Sequence, residues 1–318
     1  MALTRREFTT GEVTMRVTEA GSGPPVIFCH GFPHTGYIWH RQLTALAAAG
    51  YHALAPDLRG AGGTACPPAG CANREVIGDL LALLDDIGAE RAVFAGLDFG
   101  AALVWELAWR APERISGLIV LNNVFQPRPP KPPSELWAAA ARKHFLHLEY
   151  FQREGPADAE LNSAPRDFLA RVYYALSADY HYFDTWRFPP ENTGYLDVLP
   201  AAPPLPWRWL STGELDTLAA EFTRTGFTGG LGWYRALDRN WELTAEFAGQ
   251  PITVPTYFLY GDKDPDIEGF SGRDPFGTMR KHVPGLRRTD EIAGAGHLVQ
   301  LERTAEVNAL LLRYLAEL

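Results

Sequence analysis

The stretch Arg91-Ala-Val-Phe-Ala-Gly96-Leu-Asp98-Phe-Gly100-Ala-Ala-Leu-Val-Trp105 constrains the fold more than any other part of the chain. A short apolar run passes through Gly-x-Asp-x-Gly into a helical pattern, which reads as strand, sharp turn, helix. Glycines two residues to either side of Asp98 remove Cβ atoms that would collide in so tight a bend, so the Asp98 side chain can be thrust out above a sheet. A carboxylate held there is an anion at neutral pH and can attack an electrophilic carbon directly, giving an alkyl ester that water must then cleave. The spacing alone leaves a second reading open, in which Asp98 only caps the helix behind it.

The remaining segments place this turn in a larger pattern. Residues 8–19 alternate in polarity around Thr10-Gly-Glu12, which predicts a hairpin. A continuous apolar run at 24–29 predicts a strand buried on both faces of a parallel sheet, and it stops at His30-Gly31-Phe32-Pro33. Such a kinked loop at a strand's carboxyl end can aim a backbone N–H at a site, although His30 can equally be a core histidine in a plain turn. A helix at 39–49, a strand at 51–56 and a helix at 73–88 follow, and after the elbow helix a strand at 116–122. The glycine-rich loop Asp57-Leu-Arg-Gly60-Ala-Gly-Gly-Thr64 matches no phosphate-binding fingerprint. Strands alternating with helices predict a mostly parallel, doubly wound α/β sheet.

That rhythm breaks at Pro127-Arg-Pro-Pro-Lys-Pro-Pro133, and from there to residue 248 the pattern is helical and rich in aromatics. We expect a core formed by residues 1–126 and 249–318, with residues 127–248 inserted as a helical cap. Strand patterns resume at 255–260, ending in Gly261-Asp-Lys-Asp264, and at 286–292, ending before Gly294-Ala-Gly-His297, and a helix at 304–318 closes the chain. Asp98, Asp264 and His297 then each follow a strand, so one sheet edge gathers nucleophile, acid and base in that order. Singly, Asp264 can cap a turn, with Asp262 and Asp266 as rivals, and His297 can start a helix.

With 318 residues and 46% hydrophobic content the chain can bury a large core. Its 29 basic against 38 acidic side chains, a net charge of −9, disfavour a general nucleic-acid or anionic-membrane binder. The first residues lack the apolar core of a signal peptide and no run of about 18 apolar residues occurs, so a soluble, cytoplasmic protein is expected. Cys29, Cys66 and Cys71 form neither a CxxC pair nor a disulfide-rich pattern, and no metal spacing with histidine is present.

The Asp elbow, the His-Gly-Phe-Pro loop, and Gly-Asp-Lys-Asp together with Gly-Ala-Gly-His resemble the soluble-type epoxide hydrolases of the α/β-hydrolase fold, from about residue 24 to the end. In the expected cap, Tyr150-Phe-Gln-Arg-Glu-Gly155 resembles the family's first tyrosine motif, and Arg224-Thr-Gly-Phe-Thr-Gly-Gly-Leu-Gly-Trp-Tyr234-Arg its second. Two departures bear on pocket shape: Leu97 stands where many members carry His, and Phe99 where many carry Trp. The resemblance implies attack by Asp98 on an epoxide carbon, protonation of the departing oxygen by Tyr150 and Tyr234, and hydrolysis of the ester by water activated by His297 and Asp264. The backbone N–H groups of Phe32 and Phe99 would hold the oxyanion, supported by the loop residues His30, Gly31 and Pro33. It further implies no cofactor and no metal, with an epoxide and water as partners and neither nucleic acid nor membrane. A homodimer is compatible with the chain, whose oligomeric state the sequence does not set. The nearest rival is a dehalogenase on the same fold, whose halide needs N–H donors rather than phenols; a non-catalytic receptor is a further alternative.

Overall fold

The computed structural model describes residues 2–11, 13–67 and 70–318. Eight strands form one sheet: β1 (Thr4–Thr9), β2 (Thr14–Ala20), β3 (Pro25–Cys29), β4 (His52–Pro56), β5 (Ala92–Leu97), β6 (Ile115–Leu121), β7 (Thr256–Gly261) and β8 (Leu286–Ile292). Their spatial order is β1-β2-β4-β3-β5-β6-β7-β8. The predicted hairpin is β1 paired antiparallel to β2, with Glu12 of its turn outside the described residues. The strand β2 also runs antiparallel to β4, and every pairing from β4 to β8 is parallel.

Burial along the strands follows from this order. All six residues of β5, at the centre, are buried, whereas the edge strands β1 and β8 alternate between covered and exposed positions. Continuous Val, Ile, Leu and Phe runs suit strands covered on both faces, and the crossover helices supply that cover. The helices His40–Ala48, Asn73–Asp86, Phe99–Arg110 and Thr304–Ala316 turn Leu43, Leu80, Leu107 and Leu311 into the core.

Between β6 and β7 the described residues contain helices and 3₁₀ turns but no strand. This insertion carries its own apolar centre, in which Phe151, Phe168, Tyr173 and Phe227 are fully buried. It also meets the core directly: the Trp233 indole N–H donates to the Arg59 carbonyl at 2.7 Å, and Phe32 packs edge-on against Phe151, Phe227 and Tyr234. A disulfide joins Cys66 and Cys71, and Cys29 is buried and free. No helix among the described residues is long and apolar enough to cross a membrane.

Candidate active site

The turn after β5 is as tight as its glycines require. A Cβ on Gly96 would meet the Gly100 carbonyl oxygen at 2.3 Å, and one on Gly100 would meet the Cys29 carbonyl oxygen at 2.2 Å. Asp98, between them, has φ 58 and ψ −128, a backbone conformation that costs on the order of 1–3 kcal/mol for a non-glycine residue. The cost is offset locally, because the Asp98 N–H donates to the Asn123 side-chain oxygen at 2.7 Å. The helix-capping reading fails: Asp98 occupies the cap position, but its carboxylate makes no capping bond. Its Oδ1 instead accepts the Phe32 N–H at 2.8 Å, and the Phe99 N–H beside the same carboxylate favours its charged form.

The other two members stand where their strands end. His297 Nδ1 lies 3.1 and 3.2 Å from the two Asp264 carboxylate oxygens, and its Nε2 lies 3.6 Å from Asp98 Oδ2. Both Asp264 and His297 are buried. The rivals to Asp264 have other roles: Asp262 is exposed and accepts the Gly294 N–H at 2.7 Å, while Asp266 donates its backbone N–H to Asp264 Oδ1 at 2.7 Å.

Burial lowers the His297 pKa, but the Asp264 charge and the hydrogen bonds to Asp264 and Asp98 outweigh it and hold it well above the ordinary value. Burial likewise opposes ionisation of Asp98, and is outweighed by His297 and by the two backbone N–H groups, which keep its pKa low. Both directions favour the charged forms of Asp98 and His297, which face each other at 3.6 Å. Burial and the Asp264 charge push Asp266 the other way, up from the carboxylate range.

Two cavities meet at Asp98. The inner one, of about 50 Å³, is closed in by Phe32, Pro33, Asp98, His147, Tyr182, Tyr195, Tyr234, Asp266 and His297 among others. The outer one, of about 510 Å³, is largely aromatic, with Trp105, Trp109, Trp137 and Trp241 in its wall, and it shares Asp98, His147, Tyr234, Asp266 and Phe270 with the inner. Tyr234 is buried, its hydroxyl has no hydrogen-bond partner among the described residues, and burial with the nearby Asp98 charge raises its pKa. Tyr150 is a correction. It lines neither cavity; its hydroxyl donates to Glu160 Oε2 at 2.9 Å, and Glu160 also accepts the backbone N–H groups of Tyr195 and Leu196.

The alpha/beta hydrolase fold family matches residues 24–304. Epoxide hydrolase A of Mycobacterium tuberculosis is 43% identical over 322 residues, covering 100% of this chain and 98% of that protein. The chain belongs to the epoxide hydrolases of the α/β-hydrolase fold. Epoxide hydrolase 1 of Siraitia grosvenorii is 35% identical over 97% of the chain and 96% of its own length. Among solved structures, that of epoxide hydrolase A from Mycobacterium thermoresistibile superposes with a TM-score of 0.92 at 41% identity, covering 99% of this chain and 98% of that one.

In this epoxide hydrolase several residues support the site through hydrogen bonds to its loops. His30 lies outside both cavities. Its Nε2 accepts the Leu58 N–H at 3.0 Å, so Nδ1 carries the proton and donates to the Gly31 carbonyl at 2.9 Å, which fixes the loop presenting Phe32. The buried Asn122, at φ 66, donates from its amide to the His297 carbonyl at 2.6 Å and accepts the Gly261 N–H at 2.9 Å. Asn123 holds the Asp98 backbone on one side and bonds the Asp266 carboxylate on the other. A polar pair directly after a buried strand, at the edge that gathers the other groups, is the signal that points to both. Asp264, Asp266 and His297 bring ligand atoms within 4.8 Å of one another, yet the His297 Nδ1 is engaged by Asp264 and the Asp266 carboxylate by Asn123, an acid–base arrangement rather than an open ligand set.

Proposed function

We propose that the chain converts epoxides to vicinal diols through a hydroxyalkyl ester on Asp98. The observation that carries this reading is the Asp98 carboxylate itself, with Oδ1 on the Phe32 N–H and Oδ2 facing His297 Nε2 at 3.6 Å in the cavity that Tyr234 also lines. Oδ2 bonds to one ring carbon as the carbon–oxygen bond breaks. Oδ1 becomes the ester carbonyl oxygen and stays within reach of the Phe32 and Phe99 N–H groups. Tyr234 donates to the oxygen that leaves the ring.

Charge then explains the order of the two steps. Before attack, Asp264 and the Asp98 anion together favour a proton on His297. Esterification removes the Asp98 charge, so the imidazolium gives up its proton to solvent and the neutral imidazole, oriented by Asp264, takes the proton of the attacking water. Water adds to the ester carbonyl, negative charge collects on Oδ1 between the two N–H groups, and collapse returns the carboxylate and the diol.

Residues 127–248 act in this reading as a cap over a core of residues 1–126 and 249–318, and the protein works as a soluble, cytoplasmic enzyme without cofactor. The test is a panel of styrene-type and aliphatic epoxides beside chloro- and fluoroacids, scored for diol and for halide. Diol without halide is expected. His297→Gln should halt after the first step, its intact mass raised by one epoxide molecule. Halide without diol would place the enzyme with the dehalogenases.

A further inference from the structure

With Tyr150 turned to Glu160, one phenol with an unpartnered hydroxyl, Tyr234, remains beside Asp98, and three other polar side chains stand in the same wall. His147 begins the one-turn helix His147–Tyr150 and lines both cavities. Its Nδ1 lies 2.9 Å from the Tyr182 hydroxyl, which lies 3.0 Å from the Tyr195 hydroxyl. The ring is fixed on several sides, stacked on Tyr195 at 5.6 Å and edge-on to Phe151 and Tyr182. Nε2 has no hydrogen-bond partner among the described residues.

We propose that His147, backed by the hydroxyls of Tyr182 and Tyr195, is the second donor to the opening epoxide oxygen, paired with Tyr234. The inference rests on the ring-opening reading above and extends it to a residue type that the tyrosine motifs do not supply. Counting protons orients the chain. Burial holds the His147 pKa down at about 4, so the imidazole is neutral, with one donor and one acceptor nitrogen. If Tyr195 donates to Tyr182 and Tyr182 to Nδ1, every hydroxyl proton has an acceptor and Nε2–H is left for the cavity. In the reverse order the Tyr195 proton has no acceptor among the described residues, and a lone pair on Nε2 shares the cavity with the Asp98 anion.

The step balances without a co-reactant. As Asp98 Oδ2 bonds to carbon and the ring carbon–oxygen bond breaks, the new alkoxide accepts hydrogen bonds from Tyr234 and from His147 Nε2–H. The Nε2 proton passes to the alkoxide while the Tyr182 proton moves to Nδ1, leaving a Tyr182 phenolate that accepts from Tyr195. The proton that His297 gives up once Asp98 is esterified returns through solvent to Tyr182, and the proton His297 later takes from water restores its own resting state.

The test measures single-turnover esterification and ester hydrolysis separately in the full-length enzyme with styrene oxide. His147→Leu should slow esterification at least about tenfold, somewhat less than the usual loss for one oxyanion donor because Tyr234 remains, with ester hydrolysis unchanged. His147→Tyr should recover most of the rate, since a phenol also donates; a merely structural role for the imidazole would give no such rescue. Tyr182→Phe, nearly volume-conserving, should slow the same step and no other, and it decides the matter if the leucine variant does not fold. Esterification within about threefold of wild type in folded His147→Leu, or in Tyr182→Phe, overturns the proposal while leaving the Asp98 reading intact. A wild-type enzyme that forms neither ester nor diol from any epoxide overturns both.

Discussion

The sheet edge and the helical insertion furnish different walls of the cavity at Asp98, and they differ in how they position side chains. At the sheet edge Asp98, Asp264 and His297 each follow a strand by one to five residues, and parallel pairing of β5, β6, β7 and β8 places those strand ends together. In the insertion the polar side chains that line the inner cavity come from separate short elements: His147 from a single helical turn, Tyr182 from a 3₁₀ turn, Tyr195 from another short helix and Tyr234 from the helix Thr228–Arg235. A pleated ladder with one register is far more determinate than a bundle of one-turn helices whose orientation depends on distant neighbours.

The largest effect expected from this contrast lies on the sheet side. Asp98→Asn keeps the shape but removes the attacking anion, so turnover should fall by at least about 10³-fold, the scale of nucleophile deletions. Steady-state diol formation measures it, and activity within tenfold of wild type would remove Asp98 from its role. On the insertion side Tyr234→Phe takes away one donor of a shared pair and should slow esterification by about 10- to 100-fold, read in a single-turnover burst, with thermal stability nearly unchanged. Loss as severe as that of Asp98→Asn would mean that the donors do not share the oxygen.

A third effect sits where the two regions touch. Glu302 accepts the Gly296 N–H and the Ala178 N–H, both at 3.0 Å, and burial raises its pKa to about 7 from an ordinary 4.5. A group with a raised folded pKa contributes stability that is complete below the unfolded value and is lost as pH rises through the folded one. Thermal unfolding should therefore show wild type losing ground to Glu302→Gln between pH 4.5 and 7; parallel curves for the two proteins would contradict the assignment. The smallest effect belongs to Tyr150→Phe. It should leave turnover within about twofold and cost about 1 kcal/mol of stability, the usual worth of one hydrogen bond, measured by urea unfolding beside the diol assay.

The same contrast explains which parts of the molecule were legible in the sequence. Apolar runs punctuated by glycine marked β3, β5 and β7, and therefore Phe32, Asp98 and Asp264, because burial on both faces leaves a local trace; the edge strand β8 is polar and alternating, and Gly294-Ala-Gly-His297 after it marked His297. The insertion left a weaker one. The motif around Tyr150 marked a segment that reaches the cavities, but the side chain that lines them is His147, three positions earlier and one turn of helix away. Which of His147 and Tyr150 meets the cavity is decided by Tyr182, Tyr195 and Glu160, all of them distant in sequence or on another element. Asn122 and Asn123 were missed for a different reason: their function is to bridge loops, and a bridge has no period to detect.

The bonds around His297 carry one further consequence, for the passage of reagents. Its backbone N–H donates to the Leu176 carbonyl at 2.8 Å, and Glu302 ties the neighbouring Gly296 to Ala178, so the strand-end loop and the insertion are stitched along the same few residues. A cycle in which the insertion gaped to discharge its product would drag the imidazole from Asp264 and require it to be reset every time. Egress through the tryptophan-walled outer cavity leaves those stitches untouched, so the base remains aligned from one molecule to the next.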